Sequence, residues 1–212
     1  MKIGVFDTGK GGEIVAEKLQ SLFPGNEFII VNDRAHLPYG NKTAEEIIEL
    51  TDATIQPLLV SCEIIIIACN TATALAIETL RAKYPTKKFI GFEPAIKPAA
   101  SHSKKKKIMV LATPATLQSP RYLALKERCV SDVTVIEPNC SSWAQKIEAD
   151  EFSDEELRPV IELAIIENAD ELVLGCTHYL SLEEKLQKAL PSVKIQNPVG
   201  GVARRLKEIM LK

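Results

Sequence analysis

Two cysteines, Cys69 and Cys176, occupy the same kind of position in the chain. Each closes a short apolar run, residues 64–68 in one case and 172–175 in the other, and each is followed by polar or hydroxyl residues that open a helical pattern. A thiol at a helix start faces backbone N–H groups that stabilise an anion, so its pKa can fall below the usual ~8.5. The competing reading is a buried structural cysteine, because a free thiol packs as a small hydrophobe. Matched placement in both halves of the chain weighs against that reading. Cys62, Cys129 and Cys140 lack the placement and read as structural.

His178 lies just beyond Cys176 and offers an imidazole partner for the thiol, as a cysteine hydrolase would use, or simply a helix cap. A cysteine phosphatase would require an arginine six residues after its nucleophile. Those positions hold Leu75 and Leu182, which removes that chemistry. Asp7 ends the first apolar run and opens the turn Asp7-Thr8-Gly9-Lys10-Gly11-Gly12. Its Asp-Thr-Gly triplet matches aspartic proteases, but the alternating pattern described next contradicts that fold. The turn satisfies neither G-x-x-x-x-G-K-[ST] nor G-x-G-x-x-G, so no nucleotide fingerprint is present. It can still present N–H groups to a carboxylate, or be a plain tight turn.

The elements that must position these residues alternate. Strand patterns fall at residues 2–7, 27–32, 63–68, 89–92, 107–112, 133–137, 171–174 and 193–196. Helical patterns fall at 12–22, 43–59, 71–83, 119–128, 154–168, 181–190 and 198–211, the last with Asn197 as N-cap and Pro198 at its first position. Alternation of this kind predicts an α/β fold of βαβ units with mostly parallel sheets. Runs that are apolar throughout are those of strands covered on both faces. Ligands in such sheets bind at the carboxyl ends of strands, which is where both cysteines and Asp7 fall.

The totals exclude several classes. The chain has 212 residues, a net charge of −2 and 46% hydrophobic residues, which suits one large or two small globular domains. The charge balance argues against a nucleic-acid partner, and the run Lys104-Lys105-Lys106-Lys107 reads as a solvated turn entering a strand. No apolar stretch approaches the roughly 20 residues of a membrane span. The N-terminus reads as a strand and not as a signal peptide. Five cysteines without a C-x-x-C pair predict free thiols in a reducing cytoplasm, and no cluster has metal-ligand spacing.

Taken in order, the segments resemble the glutamate racemases of the Asp/Glu racemase superfamily. The strongest pieces are residues 7–12, then Asp33-Arg34-Ala35-His36-Leu37-Pro38-Tyr39-Gly40, Ala68-Cys69-Asn70-Thr71-Ala72-Thr73 and Leu174-Gly175-Cys176-Thr177-His178-Tyr179. Weaker ones are Glu93-Pro94-Ala95, the spaced set Thr113, Thr116, Ser119 and Tyr122, and Cys140 followed by Glu148. The resemblance covers essentially the whole chain. It implies two similar α/β domains, residues 1–94 with 196–212 and residues 95–195, with the active site in the cleft between them. The first domain would be completed by the C-terminal strand and helix.

The resemblance also implies roles. Cys69 and Cys176 would be acid/base thiols on opposite faces of the substrate α-carbon, Asp7 assisting the first, Glu148 and His178 the second. Asp7, Thr8, Tyr39, Gly40, Asn70, Thr71, Thr113, Thr116, Thr177 and His178 would surround an acidic amino acid. No cofactor would take part, as no pyridoxal lysine motif is recognisable. The product would be D-glutamate for peptidoglycan synthesis, and a homodimer is left open. Three departures bear on substrate choice and assembly. Thr8 stands where the family usually has Ser, Asn197-Pro198 stands for Asp-Ser, and the chain is short around residues 149–153 and at its C-terminus. The His after Cys-Thr favours glutamate over aspartate. A racemase of another acidic amino acid, or a weakly catalytic amino-acid-binding relative, remains the alternative.

Overall fold

The computed structural model describes residues 1–130 and 132–211. Strands β1 (Lys2–Asp7), β2 (Glu27–Asn32), β3 (Ile64–Ile67) and β4 (Lys88–Gly91) form a parallel sheet in the order β2-β1-β3-β4. Strands β5 (Lys107–Ala112), β6 (Thr134–Ile136), β7 (Glu171–Gly175) and β8 (Lys194–Gln196) form a second parallel sheet in the order β6-β5-β7-β8. The second order repeats the first, with β7 in the place of β3. The strand ends that carry Cys69 and Cys176 are therefore topologically equivalent, a symmetry too faint in the sequence to establish by itself.

Helices α1 (Lys10–Leu22), α2 (Ala44–Thr54), α3 (Gln56–Ser61) and α4 (Asn70–Lys83) belong to the first half. The second half holds α5 (Ile96–His102), α6 (Pro114–Gln118), α7 (Pro120–Cys129), α8 (Trp143–Glu148), α9 (Arg158–Ile166) and α10 (Glu183–Ala189). Helix α11 (Val199–Met210) follows β8 and packs back on α1 and β4. No helix of the described residues is long and apolar enough to cross a membrane.

The alternation of side chains along each strand divides the core. Ile64 and Ile66 of β3 join a cluster with Met109, Leu111, Leu172 and Leu174 of the second sheet, while Ile65 and Ile67 face the layer that contains Leu58, Ala76 and Leu80. Ile108 and Val110 turn the other way, toward Ile96, Ala99 and Tyr122. The first cluster runs continuously through both sheets, so the two halves share one apolar core and the strand ends are held at a common seam.

Several expectations need correction. The helical pattern at residues 43–59 is two helices with Ile55 between them, because Pro57 has no N–H to donate and restricts Gln56 before it. Residues 154–168 begin with a 3-10 turn, Asp154–Glu156, before α9. The chain after Cys176 is also a 3-10 turn, Thr177–Leu182, and α10 starts only at Glu183. Cys176 therefore does not open an α-helix. The short helices α5, α6 and α8 fall below the length at which a period is visible in sequence. The C-terminal strand, expected to complete the first half, pairs with β7 in the second sheet, and only α11 returns to the first. Helix α11 begins one residue later than expected, so Pro198 and not Asn197 is its N-cap; Asn197 lies one position earlier, where its Oδ1 accepts the Val199 N–H at 3.1 Å.

Glycines set how closely the halves meet. A Cβ on Gly11 would overlap the Thr177 side chain and stand 2.7 Å from the Thr177 carbonyl carbon. Backbone cannot step aside as a flexible side-chain end can, so Gly11→Ala overpacks the seam. The expected cost is about 1–3 kcal/mol, roughly 2–12 °C in Tm for a chain of this size. Thermal unfolding of the purified variant measures it, and an unchanged Tm would show that the seam is not tightly packed.

Candidate active site

The seam gathers the residues at the carboxyl ends of β1, β3, β5 and β7. Asp7 ends β1, Cys69 follows β3 by two residues, Thr113 follows β5, and Cys176 follows β7 directly. Both thiols are buried, Cys69 at 6% exposure and Cys176 at 7%, with Asp7 fully enclosed. Thr8, Asn70, Thr71, Thr113, Thr116, Thr177 and His178 are buried with them.

Cys69 lies at the start of α4, where the N–H groups of Ala72 and Thr71 and the hydroxyl of Thr8 favour its thiolate. Asp7 lies close enough that its charge acts on both thiols. Thr177 reaches across the seam and places its hydroxyl 3.2 Å from each Asp7 oxygen. Cys176 has a different partner. Its sulfur is 3.8 Å from His178 Nδ1, and His178 Nε2 is 2.9 Å from Glu148 Oε2. Glu148, the last residue of α8, also accepts the Lys10 backbone N–H at 2.8 Å. The surroundings of the two thiols thus differ: the Asp7 carboxyl acts on both, whereas an imidazole backed by a carboxylate lies beside Cys176.

Around them is a polar lining. The hydroxyls of Thr71, Thr113 and Thr116 form a closed cluster, with Thr71 3.0 Å from Thr113 and 3.3 Å from Thr116, and Thr113 3.0 Å from Thr116. Thr71 comes from the first half and the other two from the second. Thr113 also receives the Thr116 N–H, which caps α6. Asn70 donates Nδ2 to the Phe92 carbonyl at 2.7 Å, while its buried Oδ1 has no partner among the described residues. Tyr39 is occupied, since its hydroxyl donates to Asp33 Oδ2 at 2.7 Å, and Gly40 lies against Thr113. Asp33, His36, Arg34 and Lys10 were not singled out from sequence. His36 Nδ1 is 2.7 Å from Asp33 Oδ1, so Asp33 is the buried anchor of the Tyr39 turn. The sign available was their place inside motifs at strand ends, but their partners are distant in sequence. A groove of about 680 Å³ beside α5 and α11 includes Lys97, Arg121 and Arg204 and is lined by neither thiol.

The electrostatics correct the expectation of acidic thiols. Burial pushes the Cys69 thiol up to about 12, and the Asp7 charge adds to it, while the Ala72 and Thr71 N–H groups oppose it. Burial raises Cys176 further, reinforced by the Cys69 charge, and the N–H groups of His178 and Tyr179 recover only part. The helix-start donors act in the expected direction, but desolvation of a thiolate is the larger effect. Asp7 is also raised above the ordinary carboxylate range, by burial first, against the lowering influence of His178 and of the Thr8 and Gly9 N–H groups. A buried carboxyl with raised proton affinity beside a buried thiol can take up and return a proton.

Fold and site together define an α/β protein of two similar halves, with two buried thiols at topologically equivalent strand ends. The family model for Asp/Glu/Hydantoin racemases matches residues 13–204, and the chain belongs to this family, an amino-acid racemase. It is 39% identical to the glutamate racemase of Ectopseudomonas mendocina over 214 residues, covering 98% of this chain and 81% of that one. It is 40% identical to the glutamate racemase of Methylococcus capsulatus over 212 residues, covering 97% of this chain and 78% of that one. The Escherichia coli glutamate racemase, solved with L-glutamate and the activator UDP-MurNAc-ala, superposes with a TM-score of 0.85 at 27% identity, over 97% of this chain and 80% of that one.

Asp7 gives a pH-dependent test. Its folded-state proton affinity exceeds the unfolded one, so the native state binds more protons and stability falls as pH rises past the ordinary value of 3.8. Asp7→Asn removes that titration while keeping an acceptor for Thr177. The variant should melt higher than the parent at pH 8, the advantage shrinking as pH is lowered toward 4, and it should lose most racemase activity. Equal melting temperatures at pH 8 would mean that burial of Asp7 carries no cost.

Proposed function

We propose that the chain interconverts L- and D-glutamate by a two-base mechanism without a cofactor, and that the D-glutamate feeds peptidoglycan synthesis in the cytoplasm. The observation that carries the reading is the pair of thiols at equivalent ends of β3 and β7, buried in one site, each with its own proton partner. We read residues 1–94 with 196–212 and residues 95–195 as the two domains, β8 ending at Gln196 where the chain returns to the first.

The α-proton of an amino acid is weakly acidic, so its removal needs a strong base. A thiolate whose proton affinity is raised by burial is a stronger base than one in water. Such a thiolate forms only if its proton has somewhere to go, which is the part of Asp7 for Cys69 and of His178, backed by Glu148, for Cys176. One thiolate takes the α-proton from its face, and the opposite thiol delivers its own proton to the other face, which inverts the carbon. The enzyme finishes with the two protonation states exchanged. The unpaired Asn70 Oδ1 suits the substrate ammonium. The hydroxyls of Thr8, Thr71, Thr113, Thr116 and Thr177, with the Tyr39-Gly40 turn, suit its carboxylates, where donors stabilise the charge that develops as the proton leaves.

Circular dichroism of L-glutamate incubated with purified, chelator-dialysed enzyme tests the reading. The signal should decay to zero without any addition. Decay with L-aspartate alone would replace glutamate as the substrate, and binding without decay would make the chain a binding relative. Cys69→Ser and Cys176→Ser should each cut racemisation by at least a hundredfold, about 2.7 kcal/mol. Elimination from a glutamate analogue with a β-leaving group needs only the first proton removed. Cys69→Ser should retain it best with the L-analogue and Cys176→Ser with the D-analogue. The same preference in both variants would replace the paired thiols with a single base.

A further inference from the structure

Arg34 lies inside the motif at residues 33–40 and has no role in the mechanism above. It begins the 3-10 turn Arg34–His36, which follows β2 on the first half. Its Nη2 donates to Glu13 Oε1 at 2.6 Å, and its Nε lies 3.7 Å from Glu148 Oε1. The other Glu148 oxygen, Oε2, holds His178 Nε2 and the Lys10 N–H. Glu148 is therefore gripped on both oxygens, by a cation on one and by the imidazole and a backbone donor on the other. Glu13 orients the guanidinium from the first turn of α1. Asp7, the partner of Cys69, is held by neutral donors instead, the Thr177 hydroxyl and the N–H groups of Thr8 and Gly9.

We propose that Arg34 is a positioning residue for the Cys176 side of the reaction alone. It holds Glu148 Oε1 so that Oε2 stays on His178, and His178 Nδ1 stays toward the Cys176 sulfur. The cation comes from the first half and the carboxylate from the second, so the imidazole is aligned only when the halves are together. The inference rests on the two-thiol reading given above.

Racemisation itself cannot reveal a one-sided effect. The enantiomers have equal free energy, so kcat/KM in the two directions falls equally in any variant. Elimination from the β-substituted analogue is irreversible and reads each side separately. The thiolate takes the α-proton, the leaving group departs from the β-carbon with its electron pair, and the enamine hydrolyses to a 2-oxo acid and ammonia. Arg34 is half-exposed, so its expected effect is that of a partly screened ion pair. Arg34→Gln should slow elimination from the L-analogue by about threefold to fivefold and leave the D-analogue unchanged. Arg34→Lys keeps the charge and should recover part of the loss. Raising salt from about 0.05 M to about 0.5 M should bring the wild-type L-rate toward that of Arg34→Gln, whose own rate stays flat. Equal slowing with both enantiomers, no slowing with the L-analogue, or a salt response unchanged in Arg34→Gln would overturn the proposal. A wild type that neither racemises glutamate nor eliminates would overturn the two-thiol reading and this inference with it. A wild type whose cysteine variants split by enantiomer while Arg34→Gln does not discriminate would overturn the role of Arg34 alone.

Discussion

The contact between the Asp7-to-Gly12 turn and the turn after Cys176 is the constraint on which the rest of the structure depends. The Thr177 hydroxyl meets both Asp7 oxygens, Gly11 lies on Thr177, and Gly9 lies on the Glu148–His178 pair. Three glycines within four positions allow two backbones from different sheets to approach more closely than side chains would permit. Without that approach Asp7 would sit in one half and Thr177 in the other, each hydrated. With it, a carboxyl, an imidazole and two thiols share one buried seam.

Burial sets the proton affinities of the site and carries a cost. Burial raises the proton affinity of both thiols and of Asp7 together. Each group in the charged state would be a liability for folding, since an ionised side chain taken from water is expensive unless paired. Hydrogen bonds from Thr177 to Asp7 and between His178 and Glu148 offset part of that cost. The core beneath absorbs the remainder. The cluster that runs from Ile64 and Ile66 through Met109 and Leu111 to Leu172 and Leu174 binds the halves by apolar burial, leaving the seam above it free to hold polar groups.

The two sides of the site are equivalent in topology and unequal in chemistry. Strand order repeats between the sheets, and both thiols follow the strand third in sequence within their half. Yet Cys69 begins a long α-helix, whereas Cys176 begins a 3-10 turn that places His178 beside it. A 3-10 turn winds three residues per turn instead of 3.6, so its side chains project in other directions than those of a regular helix, and here His178 Nδ1 lies 3.8 Å from the Cys176 sulfur. That local difference gives one thiol a carboxylate partner and the other an imidazole.

What the sequence determined by itself was local or periodic. Apolar runs such as residues 64–67 declare buried parallel strands, because every face of them must be covered. The residues after those runs, Cys69, Asn70, Cys176, Thr177 and His178, are visible as a site because ligands gather at strand ends. Elements that depend on a single proline or on less than two turns, such as the break at Ile55 or the helix ending at Glu148, leave too little periodicity to read. The tertiary structure alone decided the long-range pairings. Asp7 with Thr177 spans 170 positions, Lys10 with Glu148 spans 138, and Arg34 reaches Glu148 from another sheet. It also decided the direction of the thiol shifts. A sequence shows the helix-start donors that lower a thiol pKa, but desolvation depends on everything packed around the sulfur, and at both cysteines desolvation is the stronger effect.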